Sequence, residues 1–519
     1  MDELRRMFAL LLRRLRMDQR TAPGHLLRLF AAGSLLFTMV SVTQSPFSLA
    51  APGLTVYRWI VWVDSLLISV ASMTVFASII AAEREQGTLP LLRMTGMNPL
   101  SLLLGQGFSG IVTGCLLLIV QLPLVMLTIT LGGILWDQVL ATYVALLAHL
   151  VLCAGIGLFW SVACARAGSA AFFTLLSLFG LWAGTYFIRM ALNGFAAKGW
   201  ISATTQTAVD EATLWIDQRL VWSRLSEISS SFGNLGLLSP QFWWSLGGGV
   251  AFLLAASWLL DRRPFETPPY RPIVIRLWKA SGNRAWRRLA IAGKDYRQFM
   301  GGVKGILARI LIYLAVPSGI AWLFEANGAR VTWEDYTSFI FWFGAAFLTV
   351  ELAAIASRSF RNELADQTWS SLAVLPRWGG RILAEKLVGA GLGLVPGIVI
   401  CLVAALNSRD VERFFGGPFY RNEEFFLMLF LLVQPVFWSS VTSYTALLMI
   451  GVSPTVTIFC GFLAIILQYA AVFLVCMTVV GNSLRFETFA KCYLSVAAVT
   501  TTYCFIASFL RLRKLTARN

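Results

Sequence analysis

Long apolar segments constrain this chain more than any other feature of its sequence. Runs of 18 or more mainly apolar residues recur from end to end, and each matches the length of an α-helix that crosses a bilayer. Only 13% of the 519 residues are charged, which is roughly half the share of a soluble domain. This deficit excludes a soluble enzyme, a disordered chain and a disulfide-linked secreted module. The sequence therefore predicts a polytopic membrane protein.

The apolar runs predict an all-α fold of about twelve transmembrane helices. Backbone polar groups in hydrocarbon must be hydrogen-bonded within their own segment, and a helix achieves this. The predicted spans of the first set are 28–45, 57–82, 101–130, 136–163, 168–195 and 241–260. Those of the second set are 305–324, 336–357, 382–406, 425–450, 455–480 and 488–509.

The placement of lysine and arginine predicts which side of the membrane each loop faces. With the N-terminus inside, the cytoplasmic pieces carry 30 basic and 11 acidic residues, whereas the opposite pieces carry 8 basic and 13 acidic ones. We therefore expect both termini on the cytoplasmic side of the plasma (inner) membrane. Orientation in the bilayer accounts for the net charge of +16, which does not indicate nucleic-acid binding.

An amphipathic helix is predicted ahead of each set of spans. Leu4 and Phe8 belong to one apolar arc of the first such helix, and Trp286 and Tyr296 belong to that of the second. Helices of this kind lie in the membrane interface with the apolar face down. The predicted domains are a first permease half over 1–260, a basic cytoplasmic linker over 261–284, and a second half over 285–519.

The first loop of each half aligns with the other at an offset of 280 residues. The matched pairs are Glu83 with Glu363, Thr88 with Thr368, Leu92 with Leu372, and Gln106 with Lys386. Because six spans is an even number, two such copies run parallel and are related by an axis along the membrane normal. The sequence thus predicts a fused pseudo-dimer.

The first of these loops, residues 83–98, has the pattern of a short helix between two spans. A helix end is followed by a break at Gly87, and a new amphipathic helix is expected from Thr88 with Pro90 in its first turn. A short rigid helix in this position is suited to docking of a soluble partner. On physical grounds alone, an ordinary capped turn is an equal alternative.

The stretch EREQGTLPLLRMTGMNPLSLLLGQ resembles the signature loop of ATP-binding-cassette (ABC) exporter permeases of the type-2 (ABC-2) class. That family's pattern has an acidic–basic–acidic triplet, a Gly-Thr-Leu step, a leucine pair, a Thr-Pro turn and a Leu-Leu-Gly-Lys lead into the third span. The six-span unit and its interfacial helix also match, so the resemblance covers essentially the whole chain. The departures are Thr95-Gly96 at the turn and Gln106 in place of the lysine. The second copy, 359–380, is more degenerate and lacks the glycine.

The resemblance implies that this loop is a coupling helix that seats in a groove of a nucleotide-binding subunit. The chain would be a transporter permease and not an enzyme, with the lipid bilayer and two copies of a separate ABC ATPase as its partners. ATP and Mg²⁺ would be bound by that ATPase, and no cofactor by this chain. As a hypothesis, Glu83 and Glu85 pair with basic groups of the ATPase. The residues assigned to docking or to stabilising the joint are Glu83, Arg84, Glu85, Gly87, Thr88, Glu363, Asp366 and Thr368.

Catalytic and metal-binding motifs are missing from the sequence. No stretch fits the phosphate-binding pattern G-x-x-x-x-G-K-[ST], so the ATPase must be a separate polypeptide. His25 and His149 are the only histidines, and none of the eight cysteines forms a CxxC pair. We therefore predict no metal site.

Polar side chains within the spans are the candidates for a translocation path. They are Asp64, Gln121, His149, Glu351, Gln434 and Gln468. For a lone glutamine or histidine, an interhelical hydrogen bond is the commoner explanation. So few ionisable groups disfavour a proton relay and permit an apolar or amphipathic cargo.

The segment 196–240 is the one sizeable piece predicted on the outer side. Trp200, Trp215 and Trp222 alternate with charged residues, which favours one or two short helices resting on the outer interface. In exporters of similar sequence, helices between the fifth and sixth spans cap the exit. A structured loop without cargo contact is the alternative.

A secondary transporter with 6+6 parallel repeats, driven by an ion gradient, is the alternative function. It would account for the parallel repeat but not for the interfacial helices or the EREQGT loop. A membrane-embedded scaffold would account for the hydrophobicity alone.

Overall fold

The structure is a computed structural model of the chain. It describes residues 51–85, 87–230, 236–262, 290–300, 302–326, 330–365, 379–408, 422–449, 454–480 and 486–516, with a few isolated positions before residue 51. The first predicted interfacial helix, the predicted span 28–45 and most of the linker 261–284 therefore lie outside the described residues. The second coupling loop, 359–380, is described only over 359–365 and 379–380.

Every regular element in these ranges is helical. In this part of the chain, nine helices are long and apolar enough to cross a membrane. The protein is therefore an all-α, membrane-embedded protein with several spans. The segments predicted as spans at 425–450 and 455–480 are helical too, although they are not among the nine. The total of twelve spans and the six-plus-six repeat stay predictions.

The chain divides into two compact units. One comprises residues 1–192, 201–270 and 477–482, and the other comprises 193–200, 271–476 and 483–519.

The first helix of the first unit whose bounds are described is α1, which a 3₁₀ turn at Phe76–Ser78 separates from α2. The bounds are α1 Pro52–Thr74, α2 Ile79–Glu85, α3 Leu89–Met94, α4 Pro99–Thr130, α5 Trp136–Ala163, α6 Ala167–Ala197, α7 Ala203–Asp217, α8 Val221–Ser230 and α9 Pro240–Arg262. Together, α1 and α2 form a single candidate span, Gly53–Glu85.

The second unit contains seven described helices. They are α10 Ala290–Met300, α11 Gly302–Ala326, α12 Trp333–Ala365, α13 Gly379–Leu406, α14 Asn422–Leu448, α15 Pro454–Val480 and α16 Phe486–Thr516. A buried cluster that includes Phe437, Ile465, Val472 and Tyr493 joins α14, α15 and α16.

Hydrogen bonds join α1–α2 to α5 along most of their length. The paired residues are Tyr57 with Thr142, Ser69 with His149, Ser72 with Cys153, and Ile80 and Ala81 with Ser161. The offset between partners stays between 80 and 85 residues, which shows that the two helices run parallel. We call this series the α1–α5 ladder.

The α1–α5 ladder passes through the 3₁₀ turn, where Gly157 allows a close approach. A Cβ at position 157 would lie 2.7 Å from Phe76 Cβ and 2.9 Å from the Ser72 carbonyl oxygen. One turn further, Ser161 Oγ accepts from the amides of Ile80 and Ala81 at 2.8 and 3.1 Å. The side chain of α5 thus satisfies amides that the change in helix type leaves without intrahelical partners.

Helices α7 and α8 follow α6 in the chain, and α8 packs against α1 and α5. The last residue of α7, Asp217, forms an ion pair with Arg189 of α6. At the start of α8, the Trp222 ring lies edge-on to His149 at 6.1 Å between centroids. Near its end, the carbonyl of Ile228 accepts from Gln138 Nε2 at 3.0 Å. Gln138 and His149 are about 16 Å apart along α5, so α8 extends from the middle of α5 toward the start of α5.

The sequence predicts helices that rest on the outer membrane interface, whereas α8 has a face that is buried in the first unit. Val221, Leu225 and Ile228 are buried. A cavity of about 20 Å³, bordered by His149 and Trp222, lies at the start of α8 and is large enough for a single water molecule.

Candidate functional site

The loop that follows α2 contains the break and the short helix that the sequence predicts. Gly87 has φ of 69°, a left-handed conformation that costs glycine little. The Thr88 amide donates to the Glu83 carbonyl at 2.9 Å, and its hydroxyl donates to the Glu83 carboxylate. Helix α3 then begins at Leu89 and ends before Gly96, which also has φ of 69°. Glu83 and Thr88 thus fix the turn from within.

Helix α3 has an inward and an outward apolar face. Leu89 and Leu92 pack against the core of the first unit. Leu91 and Met94 point away from it and are 64% and 82% exposed. A helix of six residues that exposes two large apolar side chains next to a packed face has the form of a docking element.

Arg84 and Glu85 bind the turn between α5 and α6. The Arg84 guanidinium donates to the carbonyls of Val162 and Cys164 at 3.2 and 2.9 Å. Glu85 Oε1 accepts from the amide of Ala167 at 3.0 Å. A cation thus meets the carbonyl end of α5 and an anion meets the amide end of α6, which matches the partial charges of both helix ends.

A third helix end contacts the same loop. The Arg93 guanidinium, in the last turn of α3, donates to the carbonyl of Leu260 near the end of α9. Residues of the loop are therefore bonded to the ends of α5, α6 and α9, all at one end of the first unit.

In the second unit, Glu363 is buried in an ion cluster. Its carboxylate lies 2.7 Å from Lys294 Nζ and 3.2 Å from Lys386 Nζ. Lys386 also lies 3.1 Å from Asp295 Oδ2 and donates to the Ser359 carbonyl at 3.1 Å. The cluster joins α10 to α12 and α13. Asp366 and Thr368, the other residues assigned to this loop, lie outside the described residues.

Sequence reasoning missed two members of this cluster, Lys294 and Asp295, of which Asp295 is the buried one. Its side chain is buried against α13, where a Cβ at position 389 would lie 3.0 Å from Asp295 Cβ. Burial raises the pKa of the Asp295 carboxyl by more than the adjacent Lys386 ammonium lowers it, so the net shift is upward. A local signal existed, since Asp295 lies on the same side of α10 as the apolar Ala292.

The aligned pair Gln106 and Lys386 has different surroundings in the two units. Lys386 joins two carboxylates. Gln106 is also buried, but its Oε1 has no hydrogen-bond partner among the residues that the structure describes. The ion cluster is therefore a feature of the second unit.

Three of the translocation candidates lie in the first unit. His149 Nε2 is 3.2 Å from Ser69 Oγ and 3.4 Å from Cys153 Sγ, so it belongs to the α1–α5 ladder. Asp64 and Gln121 are buried. Asp64 Oδ1 and both polar atoms of Gln121 have no hydrogen-bond partner within the described ranges.

The three candidates in the second unit all have hydrogen-bond partners. Glu351 pairs with Arg309 and accepts from the Tyr313 hydroxyl at 3.1 Å.

Two glutamines complete this set. Gln434 Oε1 accepts from Trp438 at 3.1 Å and from Tyr469. Gln468 Nε2 donates to Thr500 Oγ1 at 3.1 Å. Apart from the Trp438 bond, which lies within α14, these contacts are the interhelical hydrogen bonds and ion pairs expected of buried polar groups in spans.

The chain matches no protein-family model, no curated protein and no solved structure. Among the described residues, no three His, Cys, Asp or Glu side chains are grouped as a metal site requires. The geometry of the loop after α2 and the resemblance of its sequence are therefore the features that indicate a function.

Proposed function

We propose that this protein is the membrane-spanning permease of an ATP-driven ABC exporter of the ABC-2 class, with both halves fused in one chain. Two separate ATPase subunits bind ATP and Mg²⁺, and their closure moves the coupling helices. Both termini and the coupling loops lie in the cytoplasm. The substrate crosses through the helices without covalent change, so the chain is not an enzyme.

The observation that carries this proposal is the outward face of α3. The helix lies between two candidate spans, is packed on one side through Leu89 and Leu92, and exposes Leu91 and Met94. A soluble ATPase needs a rigid, exposed apolar contact of this kind, because a flexible loop would absorb its movement. The EREQGT sequence around this helix supports the same assignment.

The position of α8 is consistent with an exporter. The end of α8 lies at the end of the first unit opposite the coupling loop, since Ile228 contacts Gln138 at the start of α5 whereas Arg84, at the start of the coupling loop, is bonded to residues near the end of α5. With that loop in the cytoplasm, α8 lies toward the outside, where it would cap the exit.

Affinity capture of the tagged chain from native membranes, followed by an ATPase assay of the eluate, tests the proposal. We expect an ATPase to co-purify with the wild type. Leu91→Glu places a charge on the docking face and should reduce the recovered ATPase about tenfold or more, a change of about 1.4 kcal/mol in affinity.

Leu238→Glu is the matched control. Leu238 is 61% exposed, in the connection before α9, at the end of the unit away from α3. It should leave capture unchanged. A wild-type eluate without ATPase, or an equal loss in both variants, would refute the proposed docking.

A gradient-driven transporter is the second candidate, and the burial of the Asp64 and Gln121 side chains within spans favours it. A carboxylate buried in a span is costly unless a cation compensates its charge. Under this candidate, sodium raises the thermal midpoint of the purified protein at constant ionic strength, because a ligand of the folded state stabilises it. Asp64→Asn should abolish that rise. If sodium does not raise the thermal midpoint of the wild type, sodium coupling is excluded.

A further inference from the structure

The charged pair Arg84–Glu85 already has partners within its own chain. Arg84 binds two carbonyls at the end of α5, and Glu85 binds the first amide of α6. Reversing either charge would place it against a helix end of the same sign. The order of the two charges in the sequence therefore matches the order of the two helix ends.

The packing behind this pair is close and consists of small side chains. Ala77 and Ala81, from the α1–α2 segment, lie in one buried cluster with Cys164, Ala167 and residues of α6. Small residues let helix backbones approach closely. Next to this cluster, Ser161 accepts from two amides of α2. The end of α2 and the α5–α6 turn are thus joined by packing as well as by charge.

We propose that Arg84 and Glu85 are positioning residues that clamp the end of α2, and with it the loop that carries α3, to the α5–α6 turn, and that neither binds the ATPase directly. The hydrogen bonds of the clamp do not depend on the proposed function, but the movement that the clamp transmits does. Docking is then the task of Leu91 and Met94. Because Arg189 of α6 pairs with Asp217 of α7, displacement of the coupling loop is delivered through α6 toward α7.

Hydrogen exchange of the Ala167 amide tests the clamp on the full-length protein. Glu85→Ala removes the acceptor of this amide, and its exchange should accelerate about fivefold, the effect of losing one helix-capping bond. Glu85→Gln retains Oε1 and should keep most of the protection. Because Glu85 is exposed, its truncation leaves the core of the unit intact.

A second variant probes the other half of the clamp. Arg84→Ala frees the carbonyls of Val162 and Cys164, and exchange across the α5–α6 turn should rise as in Glu85→Ala. If the Ala167 amide of Glu85→Ala exchanges as slowly as in the wild type, the clamp is overturned. The clamp is also overturned if this amide exchanges as fast in Glu85→Gln as in Glu85→Ala.

Affinity capture separates failure of the clamp from failure of the proposed function. We expect Glu85→Ala to recover as much ATPase as the wild type, with weaker nucleotide-dependent coupling. Loss of capture with unchanged exchange would identify Glu85 as an ATPase ligand and overturn the inference. If the wild type captures no ATPase, the proposed function fails, while the exchange of Ala167 still decides whether the clamp exists.

Discussion

The Arg84 guanidinium donates to the carbonyl oxygen of Cys164 at 2.9 Å. This bond connects the loop after the second predicted span to the turn between the fourth and fifth. It continues the α1–α5 ladder, whose last bonds join Ile80 and Ala81 to Ser161. The loop with the strongest functional signal is therefore the end of a bonded structure that extends along the first unit.

Within the ion cluster of the second unit, Lys386 should be essential for stability and Lys294 should not. Lys386→Met leaves Asp295 and Glu363 buried without this cation and should cost about 3–5 kcal/mol of unfolding free energy. Lys294→Met should cost less than about 1 kcal/mol, because that side chain is 52% exposed, against 2% for Lys386. Denaturant unfolding in detergent measures both. Equal losses would show that burial does not determine the contribution of each lysine.

Asp295 should give stability a specific pH dependence. Its pKa is raised by burial, so the folded chain holds a proton at pH values where the unfolded chain has released it. Stability from this group therefore falls as pH rises from the ordinary carboxyl range through the raised pKa. Relative to Asp295→Asn, the wild type should lose unfolding free energy across that window and show a constant difference above it. A difference that grows in favour of the wild type with rising pH would contradict this.

The close approach of α1 and α5 should make Gly157 intolerant of a side chain. Gly157→Ala places a Cβ 2.7 Å from Phe76 Cβ and should destabilise the fold by about 1–3 kcal/mol through overpacking. Gly180→Ala is the matched control, since nothing lies within 4 Å of an added Cβ there. It should change the unfolding free energy by less than about 1 kcal/mol. Thermal midpoints at one heating rate compare the two, and equal values would argue against the tight crossing.

Much of the helical layout could be predicted because long apolar runs define spans directly. The predicted 136–163 and the observed α5, Trp136–Ala163, agree, and α4 begins two residues before its predicted start. The break between α1 and α2 could not be predicted, because no glycine or proline marks it. It depends on Ser161, about 80 residues further along the chain.

The candidate site was predicted in position but not in its contacts. The break at Gly87 and the short helix follow from local turn chemistry, which the sequence displays. The partners of Arg84 and Glu85 are backbone groups of another turn, and no side-chain pattern encodes them. Likewise, Asp295 and Lys386 are 91 residues apart, so a local helical pattern cannot reveal that they pair.

Site-specific photo-crosslinking from position 91 tests the central claim most directly. A photoreactive residue in place of Leu91 lies on the exposed face of α3, and the same residue in place of Leu238 is the control. On illumination in native membranes, we predict that position 91 forms a crosslink to a subunit containing a phosphate-binding loop, as identified by mass spectrometry, and that position 238 does not. If position 91 crosslinks only to lipid, or if both positions crosslink to the same soluble protein, α3 is not an ATPase-docking helix.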